Sequence, residues 1–174
     1  MWVSPPMALK KTSELITIGA RVEESAANTF TQAQVDLQLN PLDQEVFIVQ
    51  AIDYNVSPPD AVAATDTSVV GYLTTTSQTA LPQFNDSVVL AAKELSIRAL
   101  GFVDGGVAFD TGTAESPPSQ LDYIGIISTN DFFLQIKGSN NTGAKTAAVK
   151  VYGYRARADA ATYAALVQSE VLTS

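Results

Sequence analysis

The chain has no cysteine and no histidine, and only 16% of it is charged, well under the roughly 25% of an average globular domain. Without thiols there are no disulfides, zinc-thiolate centres or cysteine nucleophiles, so stability has to come from packing. Without imidazole, the commonest general base and transition-metal ligand is missing, along with the usual partner of a catalytic serine. No stretch reaches the ~18 continuous apolar residues of a membrane-spanning helix. The opening MWVSPPMALKKTSELITIGA lacks a basic segment ahead of an apolar one, so a soluble protein without a secretory leader is expected.

What is present is 174 residues, 46% of them hydrophobic, enough to bury one sizeable core. A net charge of −8 argues against a protein built mainly to grip nucleic acid, which needs a basic face. The charge is segregated: between Phe30 and Asp131 thirteen acidic residues face only Lys93 and Arg98. The stretch Phe132 to Arg157 then carries Lys137, Lys145, Lys150, Arg155 and Arg157 with no acid.

Runs rich in β-branched and aromatic residues, bounded by Pro, Gly, Asn and Asp, recur along the chain. Gln34 to Leu39 alternates cleanly, and Glu45 to Tyr54 is apolar on both faces, with Phe47, Val49 and Ala51 opposing Val46, Ile48 and Ile52. That pattern suits a central strand covered on both sides. Further strands are expected around Leu15–Gly19 and over Ser68–Thr75, Ser87–Ala91, Glu94–Leu100, Val107–Phe109, Leu121–Ser128, Phe132–Lys137 and Thr146–Tyr154. Asp159 is placed to cap a short helix with Ala160, Tyr163, Ala164 and Val167 on one stripe. Strands followed by one helix predict an all-β, eight-stranded jelly-roll sandwich with an extended N-terminal arm and a short C-terminal helix. The expected layout is an arm or short first strand over 1–30, the sandwich over 31–157, and the helix and tail over 158–174. Three Ser-Pro-Pro triplets, at Ser4, Ser57 and Ser116, hold extended connectors.

Asp104, Asp110, Glu115, Asp122 and Asp131 could supply the carboxylate pair of a histidine-free glycosidase, but beside Gly and Pro such residues form turns. DGG at Asp104 to Gly106, NDF at Asn130 to Phe132 and TDTS at Thr65 to Ser68 could supply oxygen ligands for calcium, but none follows the regular spacing of a calcium loop, and each reads as a turn. GSNNTGAK, Gly138 to Lys145, lacks the Gly-Lys-Ser/Thr ending of a phosphate loop and runs into a strand, so it reads as a hairpin loop. Tyr152 and Tyr154 share a strand face with Lys150, where packing against the helix or a neighbour is preferred over a carbohydrate platform. No catalytic residue, metal ligand, cofactor or small-molecule substrate is expected. The candidate subunit interface is Lys137, Lys145, Lys150, Arg155 and Arg157, a basic patch able to meet acidic loops of another copy.

The segment DYIGIISTNDFFLQIKGSNNTGAKTAAVKVYGYRARADAATYAALVQ resembles the closing strands and C-terminal helix of single jelly-roll capsid proteins of icosahedral archaeal and bacterial viruses. The likeness covers the last third of the chain, and no functional residue is carried over from it. It implies a non-enzymatic capsid or minor shell component, located in the virion, whose partners are copies of itself and other virion proteins. Contact with a genome or an internal membrane is left open. The alternative is a carbohydrate- or receptor-binding β-sandwich of a spike or surface layer.

Overall fold

The computed structural model describes residues 9–112 and 122–172. The Ser4 and Ser116 proline triplets, Glu115, Leu121 and the last two residues lie outside them. Among the described residues ten strands and one α-helix follow in order: β1 (Leu9–Lys11), β2 (Ile16–Glu23), β3 (Thr31–Asp36), β4 (Glu45–Val56), β5 (Thr67–Thr74), β6 (Val89–Arg98), β7 (Val107–Gly112), β8 (Gly125–Ile127), β9 (Asp131–Ser139), β10 (Thr146–Ala158) and α1 (Ala160–Leu172), with a short 3-10 turn at Pro41–Asp43.

The strands form two five-stranded sheets. In the first, β1 and β2 follow one another along one edge of β10, with β4 and β8 beyond. In the second the order is β3, β9, β5, β6, β7. The antiparallel pairs are nested: β2 with β10, β3 with β9, β4 with β8, and β5 with β6. The pairs β4 with β10 and β5 with β9 then join the nested pairs within each sheet. The result is an all-β sandwich with one C-terminal helix.

Ten strands stand where eight were expected, for two reasons. The N-terminal edge is interrupted at residues 12–15 and counts twice, and β7 is appended outside β6. The expected strands Ser87–Ala91 and Glu94–Leu100 are one strand, β6, because Ala92 and Lys93 offer no turn residue to divide them.

The core lies between the sheets, where Phe47, Val49, Val69, Leu73, Phe132, Leu134, Ile136, Val149 and Val151 are buried. A smaller cluster on the outside of the first sheet joins Val46, Ile48, Ala156 and Ala158 to Tyr154, and to Tyr163 and Leu166 of α1. β4 is therefore covered on both faces over its first half, as its sequence predicts. Its facial pattern differs from the expected one. The register with β10 shifts between Tyr152 and Gly153, leaving Gln50 as an extra residue. That bulge reverses the alternation, so Ile52 rather than Ala51 joins Phe47 and Val49 toward the core.

Asp159 caps α1 by accepting from the Thr162 amide at 2.7 Å. The stripe of α1 that packs is Tyr163 and Leu166, with Glu170 buried a turn later, while Ala160 and Ala164 are exposed. The Glu170 carboxylate accepts from the amides of Ser128 and Thr129 at 2.9 Å each and from the Ser128 hydroxyl. A charge-assisted set of this kind ties the helix end to the β8–β9 connection.

Candidate interaction surface

The basic stretch is not one surface. β10 alternates, and Lys150 is opposite Asp53 of β4 on the exposed outer face of the first sheet. Arg155 is five residues on, an odd number, so it points to the other side, with Arg157. There Arg155 donates to the carbonyls of Leu37 at 2.8 Å and Gln38 at 3.2 Å and pairs with Glu45. It fixes the connection between β3 and β4, in which Gln38 has a positive φ of 51°. Arg157 donates to the Asp43 carbonyl and carboxylate at 3.1 and 3.0 Å. Lys137 is exposed on the outer face of the second sheet, on the opposite side of the sandwich from Lys150.

Lys145 belongs to an internal latch. Its ammonium lies 2.6 Å from Asp60, with only 11% of its side chain exposed. Asp60 also accepts from the Thr142 amide and hydroxyl, both at 2.9 Å. The lysine and these donors hold the Asp60 carboxyl well below the usual carboxylate range. Buried Glu24 reaches the same loop, accepting from the amides of Gly138 at 2.6 Å and Lys145 at 2.9 Å. A Cβ at Gly138 would lie 2.6 Å from the Asn141 side-chain nitrogen, so a larger residue there would displace that side chain. GSNNTGAK is thus not the hairpin loop expected from the sequence but a crossover from β9 of the second sheet to β10 of the first, clamped by two carboxylates. Neither carboxylate is legible as a partner in the sequence, because Glu24 is 114 residues from Gly138.

The carboxylates weighed for catalysis are dispersed. Asp110 pairs with Lys93 at 2.5 Å, and Asp131 accepts from the Gln34 amide at 2.5 Å. Asp104 and Asp122 are exposed. Asp66, whose carbonyl accepts from the Asn140 side chain of the GSNNTGAK loop, accepts through its carboxylate from the amides of Leu100 and Ala99 and from Arg98, and the amides above all lower its pKa.

Two surfaces remain open. On the outer face of the first sheet a concavity of about 600 Å³ is floored by Gly19 and Ala148 and edged by Arg21, Asp53, Asn55 and Lys150. Tyr152 lies on the same face and donates to Asp53 at 3.0 Å, while Tyr154 packs beneath α1 and under Lys11. The second surface is β7 with the turn before it. Val107 to Thr111 are all exposed, as are Leu100, Phe102 and Val103.

Fold and surfaces together define a two-sheet all-β sandwich with a helix on one outer face. No family model matches the chain, and no curated protein matches it. Among solved structures a chain of Desmodium yellow mottle tymovirus is similar to it at 11% identity and a TM-score of 0.31. The match covers 88% of this chain and 94% of that one. At so low a TM-score the two folds are not equated.

Proposed function

We propose that the chain is a structural building block of a virus particle, a single jelly roll that works by packing against copies of itself and other virion proteins and not by catalysis. The observation that carries this reading is the nested strand order. Pairs β2–β10, β3–β9, β4–β8 and β5–β6, closed into two facing sheets, follow the double-Greek-key scheme used in viral capsid domains. The resemblance of the closing strands and helix to virion jelly rolls supports it independently. The latches around Lys145 and Arg155 also fit it, since they stiffen the loops at the ends of the sandwich, where shell subunits would meet.

Jelly rolls serve lectins as well, and the concavity edged by Arg21, Asp53, Asn55 and Lys150 favours a second reading, a carbohydrate- or receptor-binding module. Sedimentation velocity of the full chain over a range of concentrations, with negative-stain microscopy, separates the two. Oligomers or shells are expected. A strict monomer that binds a glycan array, and loses that binding on Asp53→Ala, would overturn the capsid reading in favour of the second.

A further inference from the structure

We propose that β7 is a dimerisation edge, pairing antiparallel with β7 of a second copy about a twofold axis centred on Phe109. The choice of a second copy as occupant rests on the self-assembly reading above; the edge itself is argued from its geometry.

The second sheet has one more strand column than the first, because β1 and β2 share a single edge of β10. β7 therefore overhangs the described strands of the first sheet, with Ala108 and Asp110 on the inner side and Val107 and Phe109 on the outer. Phe109 is 52% exposed and Val107 48%, with Leu100 at 72%, Phe102 at 48% and Val103 at 87% in the adjoining turn. The fold gains little by burying this strand, yet keeps it regular: its register with β6 runs unbroken from Arg98↔Val107 to Lys93↔Gly112. The outer side of such an edge presents alternating backbone donors and acceptors, the natural complement of another extended strand. Edges that must stay single are commonly blunted by lysine, proline, a bulge or an inward-pointing charge; VAFDTG has no lysine, proline or bulge, and its inward charge, Asp110, is already met within the chain. Asp110, the one charge on β7, is matched by Lys93 at 2.5 Å, so the strand brings no net charge of its own to a contact between chains of −8.

Chemistry also selects the register. Centring on Phe109 sets that ring against its own copy, Val107 against Thr111 and Ala108 against Asp110, and keeps Val107–Thr111 wholly within the pair. Centring on Asp110 would oppose two carboxylates, which is destabilising across strands. Centring on Ala108 would push the pairing back into the turn.

The absence of cysteine makes the test clean. Opposed residues of an antiparallel pair have Cα atoms roughly 4.5–5.5 Å apart, within disulfide reach. Val107→Cys copies mixed with Thr111→Cys copies should cross-link on mild oxidation, whereas neither variant should cross-link alone. Both keep Phe109. Phe109→Asp should weaken dimerisation in sedimentation equilibrium by about tenfold or more, the scale of losing a well-packed interface side chain, while the melting temperature of the dilute monomer stays unchanged. The inference is overturned by equal cross-linking in single and mixed samples, or by a Phe109→Asp dimer as tight as the parent. A monomer whose β7 amides already resist hydrogen exchange, the edge being filled by its own chain, overturns it too. Particles that assemble equally well with Phe109→Asp would remove this edge and leave the shell reading standing. Mixed cross-linking without any larger assembly would keep the edge and remove the shell.

Discussion

Replacing Gly71 with alanine adds one methyl group where Tyr54 of the first sheet reaches the second. Tyr54 projects from β4 across the core, and its hydroxyl lies 3.1 Å from the Tyr72 carbonyl and 3.2 Å from that of Gln135. A Cβ on Gly71 would stand 2.5 Å from that hydroxyl oxygen and 2.7 and 2.9 Å from Cε1 and Cζ. Gly71 has no positive φ, so the penalty is steric alone. On backbone grounds alanine in a strand should stabilise by about 0.5–1 kcal/mol over glycine. Overpacking a filled core costs about 1–3 kcal/mol, and a tilted ring also forfeits a hydrogen bond of about 0.5–1.5 kcal/mol. A net loss of about 2 kcal/mol is expected, lowering the melting temperature by about 4–8 °C in a domain of this size. Urea melts of Gly71→Ala, Tyr54→Leu and the double variant measure it. If ring and methyl collide, Gly71→Ala costs clearly less in the Tyr54→Leu background, a coupling of about 1 kcal/mol or more. Strictly additive losses, or a more stable Gly71→Ala, would refute the reasoning.

Glu170→Ala removes the acceptor of the Ser128 and Thr129 amides, so α1 should fray from the sheet. Faster hydrogen exchange over α1 and the β8–β9 connection is expected, with the β5–β9 ladder unchanged. Asp60, Asp66 and Asp159 all have lowered pKa values, chiefly from the Lys145 side chain at Asp60 and from backbone amides at the other two. The unfolded chain therefore takes up protons first as pH falls below about 4. Their contribution is complete above that pH and is lost below it, so urea midpoints should be flat from pH 7 to 5 and drop by pH 3. Burial pushes the Tyr54 phenol up, so the unfolded tyrosine ionises first and stability falls again above about pH 10.

Strand positions were legible because period two and the punctuating Pro, Gly, Asn and Asp residues are local signals. β4 could be read as doubly covered from its unbroken apolar run, and α1 from Asp159. What escaped is whatever depends on partners far along the chain. The bulge at Gln50 has no signature of its own in EVFIVQAIDY; it exists because β10 imposes it. There Gly153 meets the Ile48 carbonyl and the Phe47 ring so closely that no Cβ fits. Exposure of β7 was equally hidden, since Val107 and Phe109 read like any buried alternation, and only their register opposite Arg98 and Ser96 places them on the outer face of the second sheet. The division of the basic stretch was within reach. Lys150 and Arg155 differ by an odd number of positions, which places them on opposite faces of any unbroken strand.

That division decides how association should respond to salt. A contact made by Lys150, Arg155 and Arg157 against acidic loops would be steered by opposite charge and would weaken steeply as the Debye length shrinks from about 10 Å at 0.1 M to about 3 Å at 1 M. Arg155 and Arg157, however, are already engaged by Glu45 and Asp43 of their own chain, and the open edge at β7 offers backbone groups, a phenylalanine and a valine. Hydrogen bonding and apolar burial at such an edge respond little to simple salt, while the like charge of two chains at −8 is increasingly screened. Self-association should therefore hold steady or tighten as sodium chloride rises from 0.05 to 0.5 M. Sedimentation equilibrium across that range checks it, and a dissociation constant climbing tenfold or more would return the interface to the basic residues. It would also mean that the pairs Arg155–Glu45 and Arg157–Asp43 open when copies meet.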